Sequence, residues 1–501
     1  MKDPILYWNQ VALDLVASNH PDLFNLTKAA DAPKSTAPDQ PGPTRTSRAY
    51  AIAHLAMNDS WLGASGHNGV QYLPGKGVTL PAPPSPGNDL TGSFAVAGAA
   101  AHTLQVLYPQ QAAKVVRALE DFHDAQGNVT SSAEAAAGIA YGEAVGRAIL
   151  KLRKDDNSHL DGIYVPRNGP AQHRVDPLNP TQGFLDPRWG EVQPFLIPGL
   201  TGNFIAPPPP LLSNPEFLRD YNEVKDKGAQ SSTSRTTSQK RIGLYWAYDG
   251  ALKIGVPPRL YNQVVRAIVD DHSVTDTTQL AQLFAAVNAA MADAGISAWY
   301  TKYRYNVARP VVAIREADSG WGPTGQGNGA GYTGDPSWLP LGAPRTNEPA
   351  KTSLTPNFPA YPSGHATFGT ACLQVIRRFF GVPAEPNYND VTPVHPDAIW
   401  FDFISDELDG KSIDNDGSLR TRYTHRFSAS EEAVTENAES RVWLGVHWRF
   451  DAKGGVLSGR AIGDHAASAF FGSGGVAAPK PPETSALFAA DHSKKRKLLR
   501  K

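Results

Sequence analysis

Ala- and Leu-rich segments with apolar residues three and four apart run through this chain and commit most of it to helices. Residues 47–64, 95–108 and 132–152 follow this rhythm, and 277–310 keeps it through Leu280, Phe284, Val287 and Met291. Runs of alternating β-branched residues are scarce, so the pattern predicts an all-α protein packed as helical bundles. The 45 glycines and 42 prolines fall largely between the periodic segments. Pro-rich stretches at 33–43, 73–87 and 165–215 predict long Pro/Gly-rich loops, and the last contains four consecutive prolines at 207–210. A loop of that length inside a compact domain is expected to be functional or to wrap the surface. The Ser/Thr-rich run 228–240 suggests a division into an N-terminal helical half, 1–235, and a C-terminal helical bundle, 236–474. Residues 475–501 read as a disordered basic tail.

Composition excludes several classes. With 41% hydrophobic and 19% charged residues, the chain has enough apolar surface to build a core. A single cysteine, Cys372, allows no intrachain disulfide and no cysteine-based metal cage. No run of about 18 consecutive apolar residues occurs, so no membrane span is expected. The N-terminal MKDPILYWNQVALDLVA reads as an amphipathic helix and carries no recognisable signal peptide, which leaves localisation open. The net charge is -1, but six cations sit in the last eight residues, so the body is acidic and no nucleic-acid partner is expected.

Three segments of the C-terminal half carry chemistry. In the first, KYRYNVARP, Lys302 and Arg309 are seven apart. On a continuous helix both would project from one face and converge on an anion. In the second, YPSGHAT, Ser363 is a good N-cap, so the Gly364 and His365 amides would stand in an unsatisfied first turn, a ready anion site. His365 beside that anion has a side chain suited to proton transfer. In the third, SRVWLGVHWRFD, Arg441 and His447 would diverge on an unbroken helix, but Gly445 supplies a break. Asp451, four residues past His447, can take the Nδ1 proton and leave Nε2 free as a nucleophile or a metal ligand. Together the segments describe a pocket for a tetrahedral oxyanion.

The ordered pattern K-x6-RP, PSGH and SR-x5-H-x3-D resembles the signature shared by vanadium-dependent haloperoxidases and the type 2 phosphatidic acid phosphatases. GLYWAYDG (243–250), PPRLYNQVVRAI (257–268), DAGISAW (293–299), FPAYPSGHATFG (358–369) and SRVWLGVHWRFDA (440–452) make it most similar to the fungal-type vanadium chloroperoxidases.

The resemblance implies two four-helix bundles and one vanadate per chain, with His447 as the only protein ligand. Lys302, Arg309, Ser363, Gly364 and Arg441 would hold the vanadate oxygens, and His365 would be the acid/base. Asp249 would hold Arg441, and Trp299, Pro356 and Phe358 would form the halide pocket. The implied partners are hydrogen peroxide, chloride or bromide, and a small organic acceptor. The rival reading is a soluble acid phosphatase with His447 as nucleophile and His365 as general acid. The string GAGYTG at 329–334 matches a dinucleotide-binding pattern but lies in a Gly/Pro loop with no strand before it, so it carries no such function.

Overall fold

The computed structural model describes residues 3–18, 38–85, 87–126, 133–329 and 331–480. Among them the N-terminal part holds α1 (Pro4–Ser18), α2 (Gly42–Ser65), the single turn α3 (Tyr72–Gly75), α4 (Asp89–Leu107), α5 (Ala112–Gln126) and α6 (Ala133–Leu152). Next come α7 (Pro215–Lys227), α8 (Thr237–Tyr245), α9 (Pro257–Asp271), α10 (Thr277–Tyr305) and the short α11 (Pro310–Arg315). The C-terminal part holds α12 (Gly364–Phe379), α13 (Ser430–Trp443) and α14 (Arg449–Phe471). To the all-α expectation the described residues add an antiparallel pair, β1 (Phe401–Ile404) with β2 (Thr424–Phe427), in register Phe401 to Phe427.

Two helix pairs pack most closely, α4 with α6 and α12 with α14, and both are built the same way. On α6, glycines at 138, 142 and 146 lie against α4. A Cβ on Gly142 would stand 1.9 Å from the Ala95 carbonyl oxygen, and one on Gly138 2.5 Å from that of Thr91. On α14, glycines at 455, 459 and 463 lie against α12. A Cβ there would meet the carbonyl oxygens of Ser363 at 2.8 Å, Thr367 at 2.6 Å and Ala371 at 2.6 Å. Removing side chains every four residues clears a groove in which the facing backbone sits. In both pairs, residue numbers rise together along the contact, so the helices run parallel.

The 29-residue α10 lies between the two pairs, packing on α2 on one side and on α12 and α14 on the other. It is buried through its middle, and one continuous apolar core runs from Ile5 to Phe470. Among the described residues two helices, α4 and α10, are long and apolar enough to cross a membrane. Their apolar windows are 78% and 100% buried inside the protein, as expected of core helices.

The Pro-rich stretch from 165 to 215 holds no α-helix before α7 and straps the molecule instead. The amides of Phe195, Leu196 and Ile197 donate to the buried Asp293 on α10. The Leu185 carbonyl accepts from Trp299 Nε1 and the Tyr303 hydroxyl, and the Leu185 amide donates to Asn357 O.

The Ser/Thr-rich segment ends in a capping box, Thr236 with Gln239, that starts α8. The expected tail lies outside the described residues from 481 onward. Its first part is attached to the body, since Val476 and Ala477 donate to Phe379 O and Trp400 Nε1 donates to Lys480 O. Much of the 33–43 stretch also lies outside the described residues.

Candidate functional site

The three C-terminal segments meet, but by a different route from the one expected for the first. The helix of the 277–310 segment stops at Tyr305, because Asn306 adopts the left-handed conformation with φ of 57°. Arg309 is therefore not on the face of Lys302's helix; it is the residue before α11, whose Pro310 fills the first helical position. The reversal at Asn306 still brings both cations over one ring: Lys302 Nζ lies 5.1 Å, and the Arg309 guanidinium carbon 4.8 Å, from the centroid of Phe358.

Ser363 caps α12 with its Oγ accepting from the Ala366 amide at 3.4 Å. The Gly364 and His365 amides stand in the first turn, where no preceding helical carbonyl can accept them. The Ser363 amide donates to Asp451 O at 2.9 Å, which pins this turn to the start of α14.

Arg441 lies in the last turn of α13, and Gly445 turns the chain back with φ of 70°. A Cβ at 445 would stand 2.4 Å from the Gly228 carbonyl oxygen, so only glycine fits this turn. The turn returns His447 until its amide donates to Arg441 O at 3.3 Å.

His447 precedes α14, and Asp451 sits in that helix's first turn, so their bond closes a helix start and does not link neighbouring turns. His447 Nδ1 donates to Asp451 Oδ2 at 2.9 Å, and the Trp448 amide donates to the same oxygen at 2.9 Å. With Nδ1 so occupied, Nε2 keeps its lone pair. Arg309 Nη1 donates to it at 2.8 Å, holding the place an electrophile would take. Asp249 grips Arg441 with both oxygens, each at 2.8 Å.

Lys302, Ser363, Arg441, Arg309 and His447 are all at most 1% exposed, and His365 is 6% exposed. Burial, then Arg309, holds the Lys302 ammonium well below its ordinary range. Burial, offset by Asp451, brings the Arg309 guanidinium down to about 9. Burial and the neighbouring arginines hold His365 and His447 far below the usual histidine range, so both are neutral. Burial pushes the Asp451 carboxyl up to about 7. His365 Nε2 donates to Ala247 O at 2.7 Å, which leaves Nδ1 as its basic atom.

At this site Arg309 Nη2 and Arg441 Nε are buried without a hydrogen-bond partner. Leaving such donors unpaired is costly, and the buried basic side chains Lys302, Arg309 and Arg441 outnumber the acidic side chains Asp249 and Asp451. A compact oxyanion answers both deficits. The residues fit vanadate: a neutral imidazole nitrogen on His447, unpaired guanidinium donors on Arg309 and Arg441, and the Gly364 and His365 amides at a helix start. Lys302 is the exception. Its ammonium already donates to the carbonyls of Pro359 at 2.9 Å, Ala360 at 3.0 Å and Pro362, which uses all three of its protons.

The pocket wall includes Trp299, Pro356 and Phe358 beside His365, Arg441 and His447. The rings of Trp299 and Phe358 lie 4.7 Å apart. The N-terminal part contributes Gly42 and Pro43, and the strap contributes Leu185. Sequence reasoning did not find Tyr261 and Asn437, which hold the His365 carbonyl at 2.8 and 2.9 Å. Asn437 stands one turn before Arg441, and that spacing was the available signal.

The chain belongs to the vanadium-dependent haloperoxidases, a family of peroxidases whose cofactor is vanadate. Models of the vanadium chloroperoxidase N-terminal domain and second helical-bundle domain match residues 2–184 and 282–471. The chain is 31% identical to the vanadium chloroperoxidase of Curvularia inaequalis over 89% of its own length and 79% of that protein. Among solved structures, the fold is similar to a bacterial vanadium-dependent iodoperoxidase. That match has a TM-score of 0.65 at 19% identity and covers 92% of this chain and 95% of the other. It is also similar to the holo form of a bacterial vanadium-dependent chloroperoxidase, with a TM-score of 0.59 at 16% identity, covering 85% and 92%.

Proposed function

We propose that this haloperoxidase oxidises chloride as well as bromide with hydrogen peroxide, giving hypohalous acid that halogenates a small organic acceptor. The observation that carries the reading is the apolar wall of Trp299 and Phe358 beside Lys302 and Arg309, with no ionisable side chain at position 358. Chloride is harder to oxidise than bromide and needs a more strongly activated peroxide. An apolar wall keeps water from screening the cations that supply that activation.

When bound, vanadate supplies Lewis-acid activation of hydrogen peroxide without a change of oxidation state. His447 is the residue that would hold it, through Nε2, with Asp451 fixing the tautomer. Arg309, Arg441, Ser363 and the Gly364 amide would grip the oxygens, and Asp249 keeps the Arg441 fork aimed. Neutral His365 is the acid/base, taking a proton at Nδ1 and returning it. Lys302 acts chiefly by charge and by clamping the carbonyls of the turn that presents Ser363 to His365. One peroxide, one halide and one proton give hypohalous acid and water, so the rate rises toward acidic pH. The acid phosphatase alternative uses the same two histidines, and membership of the haloperoxidase family is the reason for preferring peroxide chemistry.

Steady-state chlorination and bromination by the vanadate-loaded protein test this reading. Wild type should turn over both halides near pH 5. Phe358→His should depress chlorination at least about tenfold more than bromination, because a polar ring admits water and a competing hydrogen bond. Equal losses for the two halides would remove Phe358 as a selectivity element, and no chlorination by wild type would overturn the chloride assignment.

A further inference from the structure

Away from the vanadate pocket, a second cluster brings together His425 on β2 and Glu432 and Glu436, which stand one turn apart on α13. One ligand atom from each, an imidazole nitrogen and two carboxylate oxygens, lies within 4.8 Å of the others. From this geometry we infer that His425, Glu432 and Glu436 form a binding site for a divalent first-row transition cation such as zinc, which ties the β hairpin to α13.

Three features distinguish the cluster from an ordinary surface ion pair. The first is charge: Glu436 meets His425 Nε2 at 3.1 Å and Glu432 is brought in as well, so one imidazole faces two carboxylates. Two carboxylates at this separation repel, and a divalent cation between them removes the repulsion.

The second is how each ligand is held from behind. The Ser428 amide and hydroxyl donate to Glu432 Oε2 at 2.8 and 2.9 Å, and Trp246 Nε1 donates to Glu436 Oε2 at 3.5 Å. Glu432 Oε1 is left for a ligand, Glu436 Oε1 faces His425 Nε2 at 3.1 Å, the pair an ion would enter between, and the Tyr423 hydroxyl meets His425 Nδ1 at 3.0 Å. Outer partners of this kind orient metal ligands and fix the imidazole tautomer.

The third is rigidity. The His425 ring stacks on Tyr423 at 5.6 Å and meets Phe427 edge-on at 4.2 Å and Tyr245 at 5.9 Å, so its direction is set before any ion arrives. His425 and Glu436 side chains are 20% and 19% exposed, which leaves the cluster open to solvent ions. One imidazole with two carboxylates suits zinc or manganese better than the harder magnesium, and three protein ligands leave a position for water.

The test is calorimetric titration of the full-length, vanadate-loaded, chelator-washed protein with zinc chloride in a non-coordinating buffer. One zinc per chain should bind, and His425→Ala and Glu432→Gln should each weaken it at least about tenfold. Cobalt(II) should give visible absorption bands with wild type that His425→Ala loses. Glu432→Gln keeps the side chain's shape, so it decides the matter should His425→Ala fail to fold, with near-ultraviolet circular dichroism as the check. Absence of zinc binding up to about 1 mM, a weak-binding limit, or unchanged affinity in folded Glu432→Gln, overturns the site.

Discussion

The two parallel helix pairs, α4 with α6 and α12 with α14, use one packing device for opposite ends. Both set glycines four residues apart against a facing backbone. In the N-terminal pair the helix starts are closed by their own acidic and amide side chains. Asn88 caps α4, Asp89 and Glu134 occupy the first turns, and Asn88 Nδ2 donates to Glu134. In the C-terminal pair no acidic residue stands in the first turn of α12, and the one in α14, Asp451, is turned onto His447. Close packing is therefore common to both regions, and what sets the C-terminal pair apart is that cations and histidines, and not acidic side chains of its own, are brought to the start of α12.

The largest test of this contrast is His447→Ala. Vanadium content should fall from one per chain to none, and peroxide-dependent bromination should drop at least about a thousandfold, or about 4 kcal/mol. Thermal unfolding should show the remaining helices intact. Metal analysis after vanadate incubation checks it, and unchanged vanadium content would remove His447 as the ligand.

Gly142→Ala should do the reverse. A Cβ 1.9 Å from the Ala95 carbonyl oxygen forces α4 and α6 apart, at a cost of about 3 kcal/mol of stability. The fraction that remains folded should still bind vanadate within about twofold of wild type, within about 0.4 kcal/mol. In the other pair, Gly455→Ala places a Cβ 2.8 Å from Ser363 O and should displace the turn that carries Ser363 to His365. Vanadate affinity should weaken about tenfold, or about 1.4 kcal/mol. Equal effects of the two substitutions on vanadate binding would break the contrast.

The smallest effect concerns two buried groups of α2. Burial pushes Asp59 up to about 6 and His54 down to about 4. A raised carboxyl contributes stability that is present below 3.8 and lost as pH rises through 6; a lowered histidine contributes stability present above 6.5 and lost as pH falls through 4. The two slopes oppose between about pH 4 and 6. Asp59→Asn should unmask the histidine slope, so that stability falls by about 1 kcal/mol more per pH unit of acidification than in wild type. Denaturant titrations at several pH values measure it, and parallel pH curves for the two proteins would count against the buried pair.

Residue types and spacing made most of the candidate site legible, but not every path between its parts. Ser363 as a cap and Gly445 as a break could be read directly, because each position has a local physical requirement. The route from Lys302 to Arg309 could not, because the helical rhythm of 277–310 hides the left-handed residue at Asn306. The glycine stripes were equally hidden. Within a single helix, repeated glycine reads only as lost stability, and its purpose exists in the partner's backbone. The strap from 165 to 215 has no periodicity at all; its function rests on carbonyls such as that of Leu185, which sequence does not distinguish. The small hairpin carrying His425 escaped notice because each strand is four residues long.

The parallel run of α12 and α14 has an electrostatic consequence. Each helix carries a macrodipole equivalent to about half a positive charge at its start, and in an antiparallel pair the two would cancel. Here both positive ends lie together, tied by the Ser363 to Asp451 backbone bond, so their fields add to about one elementary charge that no side chain carries. That part of the potential cannot be titrated or mutated away while the helices stand, so anion attraction should persist in variants that have lost any single lysine or arginine.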